Sequence, residues 1–209
     1  AGGLSGGGAQ APAEEGQVGA PTNDPQAEFA AVVLASTEDA WGRVFQQAGE
    51  RYQAPRLVLF TDAVASACGT NSSAVGPFYC PADQKVYLDT AFFDELSSRF
   101  GAPVDFAQAY VIAHEYGHHV QNVLGINEQM RQAQQNDPSR ANQYSVALEL
   151  QADCLAGAWA RDASDQALFD DPQEVEEALN AAAAVGDDRI QQKTSGRVDP
   201  EAWTHGSSA

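Results

Sequence analysis

The chain has 209 residues, enough for one domain with a proper core, and its 44% hydrophobic content is ordinary for a globular protein. Acidic residues number 29 against 11 basic ones, a net charge of -18 that speaks against a nucleic-acid partner or a polybasic membrane patch; its simplest reading is solubility, and it would favour cationic peptide substrates. No apolar run approaches the roughly 20 residues that a bilayer span requires.

Residues 1 to 26, AGGLSGGGAQAPAEEGQVGAPTNDPQ, read as a Gly/Ala/Pro-rich linker, neither a signal nor a transit peptide. Such a segment buries too little apolar surface to offset its ordering entropy, and it commonly follows an anchor or an export signal. Residues 27 to 209 are expected to form the folded domain. The first element is a long amphipathic helix, EFAAVVLASTEDAWGRVFQQAGERY, with Val32, Val33, Trp41, Val44 and Phe45 as core candidates. LVLF, residues 57 to 60, has the composition of a buried strand. GPFYC and KVYLD, joined by PADQ, predict an antiparallel hairpin, and KVYLD could offer an edge along which an extended peptide pairs.

Cys68 and Cys80 bracket CGTNSSAVGPFYC, a loop-like run of small and polar residues. In an exported chain this arrangement favours a disulfide over two free thiols, and the spacing is not that of a C-x-x-C site. Cys154, on an alanine-rich helix, is most simply a small buried hydrophobe.

Helical patterns dominate after Asp89: a short one near DELSSRF, one through VDFAQAYVIAHEYGHHVQNVL, a long one through the 140s and 150s, and an acidic one at PQEVEEALNAAAA. The fold class is therefore α+β, mostly helical, with a small antiparallel sheet or hairpin early in the chain. The second of these helices holds His114, His118 and His119, three of the four histidines. Positions four apart lie about 40° from each other on a helix, so His114 and His118 share a face and can ligate one metal ion. Glu115, one step round, can reach a water held on that metal, which makes H-E-x-x-H the pattern of zinc-dependent hydrolases. His119 lies about 140° from His114 and cannot share the ion; it supports the site from behind or packs. Phe106, Tyr110, Val111, Ile112 and Val120 supply the apolar flanks, Asp105 lies near the start, and Gly125 can close the helix. Gly117 costs about 1 kcal/mol relative to alanine inside a helix, so either something approaches the backbone there or a helix crossing needs a small residue.

A second constellation lies in SVALELQADCLAGAWAR, where Glu149 and Asp153 stand four apart within an apolar, small-residue stretch. Carboxylates on a buried face are costly unless paired or coordinated to metal. HEYGHHVQ followed by ELQADCLAGAWA and preceded by GPFYCPADQKVYLD resembles the neutral zinc metallopeptidase family of bacteria, from about residue 28 to the end of the chain. The resemblance implies a zincin-like fold, peptidase activity on peptide or protein substrates, and tethering to the cell envelope by an amino-terminal membrane segment that this sequence lacks. Glu149 and Asp153 in E-L-Q-A-D resemble the glutamate-zincin arrangement, in which a glutamate is the third ligand and an aspartate orients a histidine. A metzincin site would need glycine at 121 and histidine at 124, where the chain has Gln121 and Leu124. WTHGSSA resembles the start of a longer family motif, which implies a carboxy-terminal segment beyond this chain and a possible partner there for Cys154.

The expected site is then Zn²⁺ on His114, His118 and Glu149, with a fourth position left for water and Glu115 as general base. Glutamate's extra methylene favours Glu149 over Asp153 as the ligand, and Asp153 would hold the tautomer of a ligand histidine. Either His205 or Tyr144 can donate a hydrogen bond to the developing oxyanion, although a surface or structural role is the default for His205. The rival expectation is a catalytically silent, zinc-stabilised cell-envelope protein that binds a partner, which would have no use for a base at position 115. Both expectations place the protein outside the cytoplasm.

Overall fold

The computed structural model describes residues 25–61, 63–72, 76–100 and 105–165. Most of the expected linker, the expected acidic helix at 172–184 and His205 lie outside the described residues.

Helix α1, Pro25–Gln47, begins two residues inside the expected linker. Proline suits a first helical position, because its missing N–H would have had no partner there. Ala30, Val33, Thr37, Ala40, Trp41 and Phe45 are buried, the stripe a 3.6-residue period produces. Two core expectations fail here. Val32 is 52% and Val44 49% exposed. Val32 lies across the helix from the stripe, whereas Val44, whose angle would allow burial, is left half exposed.

Strand β1 (Arg56–Phe60) leads into a two-stranded antiparallel ribbon, β2 (Ala63–Ser66) with β3 (Gly69–Ser72). The ribbon occupies part of the stretch expected as loop, since its small and polar residues carry little strand signal. Strands β4 (Phe78–Cys80) and β5 (Lys85–Asp89) form the expected antiparallel hairpin, with Tyr79 opposite Val86. β1 then pairs with the other side of β5, in parallel, giving the order β1-β5-β4. KVYLD is thus the central strand and not an edge, because β1 and β4 satisfy both rows of its backbone groups. Val86, Tyr87, Leu88 and Asp89 are all buried.

Four helices follow: α2 (Thr90–Phe100), α3 (Asp105–Val123), α4 (Ile126–Asn136) and, after a 3-10 turn at Pro138–Arg140, α5 (Ala141–Asp165). Gly125 closes α3 in the left-handed conformation at φ 74°, where a side chain would be strained. α4 is polar overall; Ile126, Met130 and Ala133 form a short stripe that is only half-buried, and none of its residues is fully buried. The chain is α+β and mostly helical. Its main core packs α1, α3 and α5 against β5 through Val33, Leu88, Ile112, Tyr116, Ala156 and Trp159.

α3 and α5 cross closely, and Gly117 is the reason. A Cβ there would lie 2.9 Å from the Ala152 carbonyl oxygen. The two readings of Gly117 merge: the backbone that comes close is that of the crossing helix. On α5, Ala152, Ala156, Trp159 and Ala163 face inward. Cys154 lies about 200° from Ala152 and is exposed, against the expectation of a buried thiol.

Candidate metal centre

The crossing at Gly117 sets Glu149 and Asp153, which flank Ala152 on α5, against His114 and His118 on α3. His114 Nε2 and His118 Nε2 lie 3.1 Å apart. Glu149 Oε2 is 3.2 Å from the first and 3.3 Å from the second. Two atoms held tetrahedrally at about 2.0 to 2.1 Å from one zinc ion are about 3.3 to 3.4 Å apart, so this triangle has the dimensions a shared ion requires. Two imidazoles and a carboxylate are also a donor set that zinc takes when one position stays open.

Each histidine is held from behind. His114 Nδ1 lies 2.8 Å from Asp153 Oδ1, a carboxylate oxygen that can only accept, so Nδ1 carries a hydrogen and Nε2 is the nitrogen available to a metal. Tyr110 Oη donates to the same Asp153 oxygen at 3.1 Å. Burial by itself would push the His114 imidazole down, but its hydrogen bonds to Asp153 and Glu149 carry it up to about 10. The carboxylates that draw a proton onto this ring would draw a divalent cation to it as well.

His118 is oriented by Gln121. The Gln121 Nε2 donates to the backbone oxygen of Leu148 at 2.7 Å, which turns Oε1 toward His118 Nδ1 at 2.9 Å. Nδ1 therefore carries the hydrogen of His118, and Nε2 again faces the triangle. Gln121 is fully buried. In the sequence Gln121 bears only on the exclusion of a metzincin site; its signal as a partner is a polar residue three places after His118, a spacing that sets the two side by side on a helix. Tyr110, expected as an apolar flank, is in the structure also a hydrogen-bond partner of Asp153.

Glu115 is 5% exposed and lines a cleft of about 510 Å³ together with His118, Glu149, Tyr79, Asn122 and Met130. His119 points elsewhere, as its angle on the helix requires. Its Nδ1 lies 3.0 Å from Tyr79 Oη and its Nε2 2.6 Å from the Gln53 backbone oxygen, with burial holding the imidazole below its ordinary value. It belongs to the packing between α3 and β4 and does not touch the triangle. Tyr144 lies under the Arg140 guanidinium, 5.4 Å from ring centre to carbon, and is not among the residues lining the cleft.

Cys68, in the turn between β2 and β3, is disulfide-bonded to Cys80 at the end of β4, as the spacing led one to expect. No helix among the described residues is long and apolar enough to cross a membrane.

Comparison with known proteins places these residues in a wider group. The chain is 50% identical over 189 residues to the uncharacterized protein YpfJ of Escherichia coli, an alignment covering 90% of this chain and 66% of that protein. It is 50% identical over 170 residues to the uncharacterized protein Rv2575 of Mycobacterium tuberculosis, covering 76% of this chain and 56% of the relative. The chain thus spans only part of the length of these relatives. No solved structure matches it. The family described as "Putative neutral zinc metallopeptidase" matches residues 3–209, and the chain belongs to that family.

Proposed function

We propose that the protein is a zinc-dependent endopeptidase, with His114, His118 and Glu149 holding the ion and Glu115 moving the proton. The observation that carries this reading is the triangle of two Nε2 atoms and one Oε2 with 3.1 to 3.3 Å sides, beside a buried carboxylate in the wall of an open cleft. A zinc ion there supplies Lewis acidity, acidifying water and polarising a carbonyl. Every other task falls to the chain. Glu115 accepts the proton of the attacking water and delivers it to the leaving amine, so one carboxylate serves first as base and then as acid. Asp153 and Gln121 keep the Nδ1 hydrogens of the two histidines in place, so that neither ring turns during the reaction. The cleft walls receive the peptide. The Cys68–Cys80 disulfide supports a location outside the reducing cytoplasm.

Glu115→Gln tests the reading, because the amide keeps the size of the side chain but cannot take up a proton. The variant should retain zinc at wild-type stoichiometry and lose hydrolysis of an unfolded protein by roughly 100- to 10,000-fold. Chelation should silence the wild type to the same degree. If Glu115→Gln loses zinc as completely as His114→Ala does, Glu115 is a ligand and the assignment of roles is wrong. Full zinc content with no hydrolysis in either protein would instead favour a zinc-stabilised binding protein.

A further inference from the structure

Asn122 follows His118 by four residues on α3, so His114, His118 and Asn122 form one stripe along the helix, and Asn122 lines the cleft beside Glu115. Behind it runs a chain of hydrogen bonds whose direction is set at the far end. His119 Nε2 lies 2.6 Å from the Gln53 backbone oxygen, which only accepts, so Nε2 carries the hydrogen. With that hydrogen on Nε2, the buried His119 ring turns its Nδ1 to the phenol of Tyr79. Tyr79 Oη, 3.0 Å away, donates its single hydrogen to Nδ1. Whatever meets the phenol oxygen from the other side must then donate. Asn122 does so through Nδ2 at 3.1 Å.

That last link decides which way the Asn122 amide faces. With Nδ2 held by Tyr79, the side-chain carbonyl oxygen is left as an acceptor with no hydrogen-bond partner among the described residues, on a residue of the cleft wall. We propose that Asn122 is a substrate-binding residue whose Oδ1 accepts a hydrogen bond from a backbone N–H of a peptide in the cleft, and that Tyr79, His119 and the Gln53 carbonyl orient it. The class of ligand rests on the peptidase reading above. An amide oxygen distinguishes a backbone N–H from an ester oxygen but takes no account of the side chain attached, so Asn122 sets the register of the peptide and not its sequence preference.

The test uses zinc-loaded Glu115→Gln protein, which binds without cleaving, and an unstructured fluorescent peptide whose backbone amides are replaced one at a time by esters. At one position the ester should weaken binding by about tenfold, and adding Asn122→Ala should abolish that penalty. Tyr79→Phe, which frees the amide to turn, should shrink the same penalty while zinc uptake persists. A merely structural Asn122 would lower the melting temperature and weaken every peptide alike, leaving the ester penalty intact; that result overturns the proposal, as does an ester scan with no sensitive position. Hydrolysis by the zinc-loaded wild type is followed in parallel. No cleavage alongside a position-specific penalty removes the peptidase reading and leaves the Asn122 site standing, whereas cleavage alongside a flat scan does the reverse.

Discussion

Glu149 and Asp153 stand one turn apart on α5 and reach opposite edges of the same imidazole. Glu149 Oε2 lies by Nε2 of His114 and of His118, while Asp153 Oδ1 lies by Nδ1 of His114. The Glu149 side chain is also the more enclosed, at 11% exposure against 37%. On these positions we propose direct coordination for the first and orientation for the second. Asp153→Asn should weaken zinc binding by about 10- to 100-fold, the usual cost of losing a partner behind a ligand. Glu149→Ala should weaken it considerably further. Zinc titration of the two variants checks this, and a larger loss for Asp153→Asn would exchange the roles.

At the scale of elements, the site depends on how closely α3 and α5 approach. Alanine at 117 would gain about 1 kcal/mol of helix propensity in isolation. Its Cβ, however, would sit 2.9 Å from a backbone oxygen of α5, and backbone cannot swing aside as a flexible side chain does. Gly117→Ala should therefore destabilise the protein, by about 1 to 3 kcal/mol net, and weaken zinc binding as α5 carries Glu149 and Asp153 outward. Denaturant melts and zinc titration measure the two effects. A variant that gained stability and kept its zinc affinity would show that the crossing is slack. The approach also explains the small residue at 152, since Ala152 is the contact and Glu149 and Asp153 lie on either side of it.

At the scale of the whole molecule, the Cys68–Cys80 bond ties the β2–β3 ribbon to β4, the strand that supplies Tyr79 to the cleft. Asp83 reinforces the tie: its Oδ2 accepts from the Ala67 N–H in the ribbon turn and from Tyr87 Oη in β5. Closing a loop of this size typically contributes about 3 kcal/mol, largely by restricting the unfolded chain. Replacing both cysteines by serine should lower stability by about that amount, read from denaturant unfolding. Protein made in an oxidising compartment should resist alkylation at both positions until reduced, as mass measurement would show. Free thiols at both positions in such protein would sink the prediction.

The sequence by itself determined what depends on neighbours along the chain. Helical period put His114 and His118 on one face with Glu115 beside them, put Glu149 and Asp153 on one face of a later helix, and turned His119 away. The β4–β5 hairpin and the disulfide were equally legible, because a short turn and a short loop bring their partners together locally. Only the tertiary structure decided which distant groups meet. KVYLD looked like an edge until β1 paired with its far side, and Cys154 looked buried until α5 chose its inward face. Gln121, Tyr110 and Asn122 gained their roles from Leu148, Asp153 and Tyr79, all more than 25 residues away. Periodicity is written into consecutive residues, whereas a hydrogen bond across such a separation exists only once helices and sheet have settled against each other.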